Sequence, residues 1–184
     1  MSADLPALRG VDGARAAICV ETPRLMLREM TLDDAPALAA VLGDRETMRW
    51  YPHACSDEEV QEWIARQASR YPTGAGLLGM ILKETGGLIG DCGVVWQEVE
   101  GRLEPEIGYH VHRGCWNRGF ASEAARAVRD YAFATLDCDH VISMIRPENM
   151  ASRRVAEKNG LRLEGVVWWR EHDHCLYRLR RPGV

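Results

Sequence analysis

The sequence predicts one α/β domain, a mixed sheet with helices on its faces. Three observations carry this. The chain has 184 residues, the size of a single domain. Apolar residues make up 46% of it, enough for a real core. Segments of alternating and of helical period follow one another in a fixed order: strand, two helices, three strands, helix, strand, helix, two strands.

Residues 1–20 are expected to form a loosely ordered extension ahead of a domain spanning 21–184. "RLMLREM" (24–30) alternates as a strand does. In "TLDDAPALAAVLGD", Thr31 can cap a helix, Asp33 and Asp34 suit its first turn, and Gly43 suits its end. "CSDEEVQEWIARQASRY" (55–71) opens with a capping box, Ser56 with Glu59 three residues on. "GLLGMILKE" (76–84) and "GLIGDCGVVWQEV" (87–99) are strand-like runs around the turn signal "TGG". After the turn "EGR", "LEPEIGYHVH" (103–112) completes a meander. A helix then runs to Leu136, with Ala121, Ala125, Val128, Ala132 and Leu136 on one face. "HVISMIR" (140–146) reads as a buried strand and "NMASRRVAEKNG" (149–160) as a helix ended by Gly160. "RLEGVVWWREH" and "HCLYRLRR" close the chain as two strands.

Composition excludes more than it selects. Lys plus Arg is 23 and Asp plus Glu is 27, a net charge of −4, which argues against a nucleic-acid partner. The six cysteines make no C-x-x-C pair, so neither a zinc ribbon nor a thioredoxin-type site is indicated. Scattered free cysteines suit a reducing cytoplasm. No apolar run is long enough to span a bilayer. The first twenty residues contain no apolar signal-peptide core.

The segment richest in information is "WNRGFASEA" (116–124). A turn becomes a helix there, and side chains thin out at Gly119 and Ala121. A helix N-terminus presents unpaired N–H groups and partial positive charge, a natural anion site. Gly119 lets a ligand approach the backbone, and Arg113 and Arg118 add charge nearby. Alone, the stretch reads equally well as an ordinary tight turn.

Four segments taken together carry a resemblance. "WNRGFASEA" is similar to the coenzyme A pyrophosphate loop of the GCN5-related N-acetyltransferase (GNAT) superfamily. It is most similar to that of the ribosomal-protein N-acetyltransferase branch, the RimJ/RimL-like proteins, where the loop runs W-G-x-G-Y-A-x-E-A. "ETPRLMLREMTLDDA", "EIGYHV" and "NMASRRVAEKNGL" resemble the family's opening strand and helix, its fourth strand, and its N-x-x-S-x-R-V-x-E-K-x-G segment. The match spans about residues 21–180. The resemblance implies a mixed, mostly antiparallel sheet of six to seven strands with helices on both faces. Strands four and five would splay to admit the pantetheine arm of acetyl-CoA, the co-substrate. On this reading the co-substrate meets His110, Val111, Arg113, Trp116, Asn117, Arg118, Gly119, Phe120, Ala121, Ser122, Asn149, Ser152 and Arg153. Asn117 replaces the first glycine of the family loop. Asn tolerates left-handed backbone angles better than most residues.

Acetyl transfer requires a neutral amine, and amines are largely protonated at neutral pH, so a base helps. Glu106, early in the fourth strand, matches the position of the base in histone-acetylating relatives. Its bland reading is a structural carboxylate, and Glu104 on the same strand face is the fallback. The resemblance places the oxyanion donor at the backbone N–H of Val111, or of His110 beside it. It gives Asn149 to the pantetheine arm and Ser152 to the sulfur, though both also suit a helix start. The family's tyrosine acid falls at Ala156, which leaves Ser152, water or Tyr177. Trp50, Tyr51, Trp96, Gln97 and Trp168 are candidates for the acceptor cleft. His110 with His112, and His172 with His174, lack a third ligand, so no metal is expected. The expected acceptor is a primary amine, either a protein N-terminus or a small molecule, with no membrane partner. A homodimer is compatible. A non-catalytic acyl-CoA sensor is the competing reading.

Overall fold

The computed structural model describes residues 16–183. Among them, twelve main elements alternate along the chain. They are β1 (Cys19–Glu21), β2 (Leu25–Arg28), α1 (Ala35–Leu42), α2 (Asp57–Ala68), β3 (Gly76–Leu82), β4 (Leu88–Val99) and β5 (Arg102–Val111). Then follow α3 (Phe120–Thr135), β6 (His140–Ile145), α4 (Met150–Lys158), β7 (Arg162–Trp169) and β8 (His172–Arg180). The strands form one sheet in the order β1-β2-β3-β4-β5-β6-β8-β7.

The expected elements are present, and the sheet has one strand more than expected. That strand, β1, pairs antiparallel with β2 from Cys19 to Glu21. The boundary drawn at residue 20 therefore falls inside a strand. Ile18 is already buried in the core. Residues 1–15 of the expected extension lie outside the described residues.

Two apolar clusters fix the helices on opposite faces. Phe120, Ala124, Ala125, Val128 and Ala132 of α3 pack on Leu25, Leu27, Leu78, Met80, Ile107 and Val111 of the sheet. Leu38, Val41 and Leu42 of α1 pack with Val60 and Ile64 of α2. The capping box of α2 forms as the sequence predicts: Ser56 N–H donates to Glu59 Oε2 at 2.7 Å, and Glu59 N–H to Ser56 Oγ at 3.3 Å.

One seam interrupts the sheet. Among the described residues, β5 and β6 are its only parallel neighbours, and a single residue pair, Glu106 with Ile142, joins them in register. By contrast β4 and β5 match over ten pairs. These two neighbours are the strands the resemblance expects to splay. Side chains bridge the gap. Ser143 Oγ donates to the Ile107 carbonyl at 3.0 Å, and the Met144 N–H donates to Glu106 Oε1 at 3.2 Å. Beyond β6, the Tyr109 hydroxyl donates to the Ser152 carbonyl of α4 at 3.0 Å.

Candidate active site

A cleft of about 600 Å³ opens at the splayed end of β5. The loop at 115–119 and the first turns of α3 and α4 form most of its wall, and residues 46–51 between α1 and α2 complete it.

The first turn of α3 is built to stay bare. Gly119 is its N-cap at φ 82°, and no side chain caps the helix. Asn117 is also left-handed at φ 59°, the conformation its side chain tolerates. The turn is braced from behind. Glu123 Oε1 accepts the Thr22 hydroxyl at 2.6 Å and the Arg24 N–H at 2.9 Å, while Arg24 Nε donates to Glu123 Oε2 at 2.6 Å. The Arg24 guanidinium lies 4.4 Å from the Phe120 ring centroid and donates to the Arg118 carbonyl. These contacts hold the chain from outside, so the N–H groups of Phe120, Ala121 and Ser122 are left to the cleft. Arg118, Arg154 and Lys158 line the same cleft and make its rim cationic.

Val111 ends β5 inside the cleft. The next N–H, His112, bonds the Ile89 carbonyl at 2.8 Å. Alternation along an antiparallel pair then turns the Val111 N–H away from β4, toward the seam. The Val111 carbonyl accepts the Trp116 indole N–H at 2.7 Å, which ties the loop to the strand end.

On β5, Glu106 and His110 share the face opposite Ile107, Tyr109 and Val111. Glu106 keeps some accessible surface, but protein walls it in. Loss of hydration pushes its carboxyl up to about 7. Bonds from the Met144 N–H and the Gln97 side chain, and the charge of Arg170, pull the other way and do not cancel this. Glu104 has different surroundings. It is buried and accepts Arg178 at 3.0 and 3.2 Å, with His140 Nε2 in contact as well. Desolvation pushes its carboxyl up, but these partners outweigh that and hold it below the usual range.

His110 has both ring nitrogens engaged. Nδ1 lies 2.7 Å from Asp91 Oδ1, and Nε2 lies 2.7 Å from the Tyr51 hydroxyl. Asp91 is fully buried, and its other oxygen accepts the Trp63 indole N–H at 2.9 Å.

A bare helix start and a cationic rim line the cleft, and the desolvated Glu106 carboxyl sits on β5 outside the residues that line it. Comparison with known proteins gives the family. The family model "Acetyltransferase (GNAT) domain" matches residues 24–162. The chain belongs to the GNAT acetyltransferase family. The protein YkkB of Bacillus subtilis (strain 168) is 36% identical over 148 residues, 79% of this chain and 86% of that protein. A solved acetyltransferase from Agrobacterium tumefaciens str. C58 superposes with a TM-score of 0.76 at 29% identity, covering 94% of this chain and all of that one. RimL, a ribosomal L7/L12 alpha-N-protein acetyltransferase solved with coenzyme A, shares the fold: TM-score 0.74 at 21% identity, over 89% of this chain and 98% of that one.

In this acetyltransferase, most of the predicted residues meet in the cleft and some do not. Trp50, Tyr51, His110, Val111, Trp116 through Ser122, Asn149 and Ser152 all line it. Asn149 also caps α4, accepting the Ser152 N–H at 3.2 Å. Arg113 lies off the wall, 4.0 Å from Asp44. Arg153 turns away, because its guanidinium is spent on the Tyr177 hydroxyl at 2.9 Å and the Pro147 carbonyl at 3.0 Å. The buried Tyr177 in turn donates to Glu157, so it does not reach the cleft as an acid. Trp168 is 70% exposed on β7 and Trp96 faces Pro105 across β4–β5; neither lines the cleft. Gln97 reaches the site through its bond to Glu106. His112 accepts the Gly114 N–H within its own turn, and His174 packs against Trp169 at 5.4 Å.

Asp91, Tyr109, Arg154 and Lys158 were not singled out from the sequence. Arg154 and Lys158, four apart on α4, carried a readable signal: one helix turn separates them, so they share a face. Asp91 had a weaker one, an acid inside a run of apolar strand residues. Nothing marked Tyr109.

Proposed function

We propose that the protein transfers an acetyl group from acetyl-CoA to a primary amine by direct attack, with Glu106 as general base. Glu106 carries the reading: a carboxyl pushed up to about 7, at the only place where β5 and β6 meet in register. A base poised near neutral pH can take the proton of an ammonium group and release it again.

The cleft suits acetyl-CoA. The uncapped first turn of α3, with left-handed Asn117 and Gly119, offers N–H groups to a diphosphate. Arg118, Arg154 and Lys158 add compensating charge. The Val111 N–H, turned away from β4, is the donor for the carbonyl oxygen as it gains charge. Asn149 and Ser152 line the path toward the seam. Bound here, the thioester supplies the acetyl group. Glu106 deprotonates the amine, Val111 holds the oxyanion, and the walls of the splay orient both reactants. Similarity to RimL supports a protein N-terminus as one acceptor class; a small amine is the other.

The test is free-thiol release from acetyl-CoA against short peptides with varied N-termini, polyamines, amino acids and aminoglycosides. Turnover with peptides alone assigns a protein N-terminal acetyltransferase, and turnover with small amines alone assigns a small-molecule enzyme. Silence across the panel with acetyl-CoA still bound overturns the reading in favour of a sensor.

A further inference from the structure

We propose that Tyr51 donates the proton that the departing sulfur needs, with Asp91 and His110 as its positioning residues. This rests on the transfer reaction proposed above.

The position where the family's tyrosine acid falls holds Ala156, buried and without a hydroxyl. Tyr177 is engaged by Arg153 and Glu157. Tyr51 is different. It lines the cleft beside Val111 and Ser152 and stays 42% exposed. Its hydroxyl meets His110 Nε2 at 2.7 Å, and His110 Nδ1 meets Asp91 Oδ1 at 2.7 Å. The imidazole is confined between the rings of Tyr51, at 5.1 Å, and Trp63, at 5.5 Å. Trp63 also fixes the Asp91 carboxylate through its indole N–H.

The Tyr51 ring is partly exposed, but its hydroxyl is desolvated, which keeps its proton on the oxygen. Among the described residues, the partner of that hydroxyl is the His110 imidazole, itself held by Asp91. Burying such a pair costs several kcal/mol of desolvation unless it is fully bonded, and this one is bonded at each end. The arrangement orients an imidazole toward a hydroxyl in a reaction cleft. A carboxylate on Nδ1 fixes which nitrogen addresses the partner. Burial raises the pKa of the Tyr51 hydroxyl most, the charges of Glu106 and Asp91 raise it further, and Arg170 lowers it.

The proton inventory balances. Glu106 takes one proton from the ammonium form of the acceptor. The C–N bond forms, and the nitrogen sheds its second proton to solvent. The C–S bond breaks, its electron pair stays on sulfur, and Tyr51 gives its hydroxyl proton to that sulfur. The phenolate regains its proton across the contact with His110 Nε2, whose Nδ1 faces Asp91. His110 regains a proton from solvent and Glu106 releases one. One acetyl group has moved and one net proton is released.

The test compares Tyr51→Phe and Asp91→Asn with the parent, in the full chain, using the best amine of the panel. Two donors are used, acetyl-CoA and the acetyl thioester of para-nitrothiophenol, whose thiolate leaves without protonation. Affinity for CoA is measured by calorimetry. With acetyl-CoA, Tyr51→Phe lowers kcat about 10- to 100-fold while CoA affinity holds within about two-fold. With the activated thioester the loss shrinks to about three-fold or less. Asp91→Asn also lowers kcat on acetyl-CoA, because an amide imposes the wrong imidazole tautomer. Equal losses with both donors, a loss that tracks CoA affinity, or an unchanged kcat each overturn the role of Tyr51. A parent that turns over no amine overturns the transferase reading and this proposal together; an active parent with an unaffected Tyr51→Phe overturns this proposal alone.

Discussion

Glu104 and Glu106 stand two residues apart on β5 and share a face, yet their surroundings shift their carboxyls in opposite directions. Glu104 meets Arg178 and His140, and these partners hold its carboxyl below the usual range against its burial. Glu106 meets a backbone N–H, an amide side chain and little water, and desolvation keeps its proton on. The difference is made by β6. Where it lies alongside β5 it brings His140, and β8 beyond it brings Arg178. Past the Glu106–Ile142 pair it parts from β5, and from there it supplies Glu106 only the Met144 N–H. The parting of β5 and β6 also withholds from Glu106 the arginine contact that holds Glu104.

Replacing Glu106 with Gln breaks the pair on the side of the proposed base and gives the largest expected effect. We expect kcat/KM to fall about 100- to 10,000-fold with CoA affinity retained, measured by thiol release and calorimetry. In the parent, kcat/KM rises with pH through about 7 as the carboxylate forms. Stability moves the opposite way. The folded carboxyl holds its proton above the ordinary value of 4.5. Its contribution is therefore present at low pH and lost as pH rises through about 7. Glu106→Gln escapes that loss, so thermal melts place it above the parent by about 1–3 kcal/mol at pH 8 and level with it at pH 4.

Glu104→Gln breaks the pair on the structural side. Arg178 keeps Glu164 at 2.8 Å but loses its buried partner. We expect a cost of about 1–3 kcal/mol, seen calorimetrically as a Tm lower by about 2–4 °C per kcal/mol, with kcat changed far less than by Glu106→Gln. The smallest effect sharpens the contrast. Gln97→Ala removes a bond that favours the Glu106 carboxylate. The acid limb of the kcat/KM profile then shifts upward, and activity at pH 7 falls about two- to three-fold.

The sequence foretold most of the fold because its signals were local. Capping boxes, turn dipeptides and alternation act within a few residues, and each element they marked formed. β1 was missed because three residues on a sheet edge give no period to read. The loop at 116–119 was legible for the same local reason: Asn and Gly at left-handed positions announce themselves. Glu106 was singled out through the family resemblance, but its difference from Glu104 was not legible, because Arg178 lies 74 residues from Glu104. The Asp91–His110–Tyr51 chain was equally hidden. It joins positions 19 and 59 residues apart, on a strand, a second strand and a loop. Arg153 and Tyr177 misled in the opposite sense, since reactive side chains near a motif can satisfy each other instead.

The seam has a mechanical meaning too. One backbone bridge and a few side-chain bonds join β5 to its parallel neighbour, against ten residue pairs joining β5 to β4. A load pulling the two sides of the sheet apart meets its weakest line there. The five strands from β1 to β5 and the three from β6 to β8 form two backbone-bonded groups, joined mainly by side chains, with Val141 of β6 sharing the core under α3.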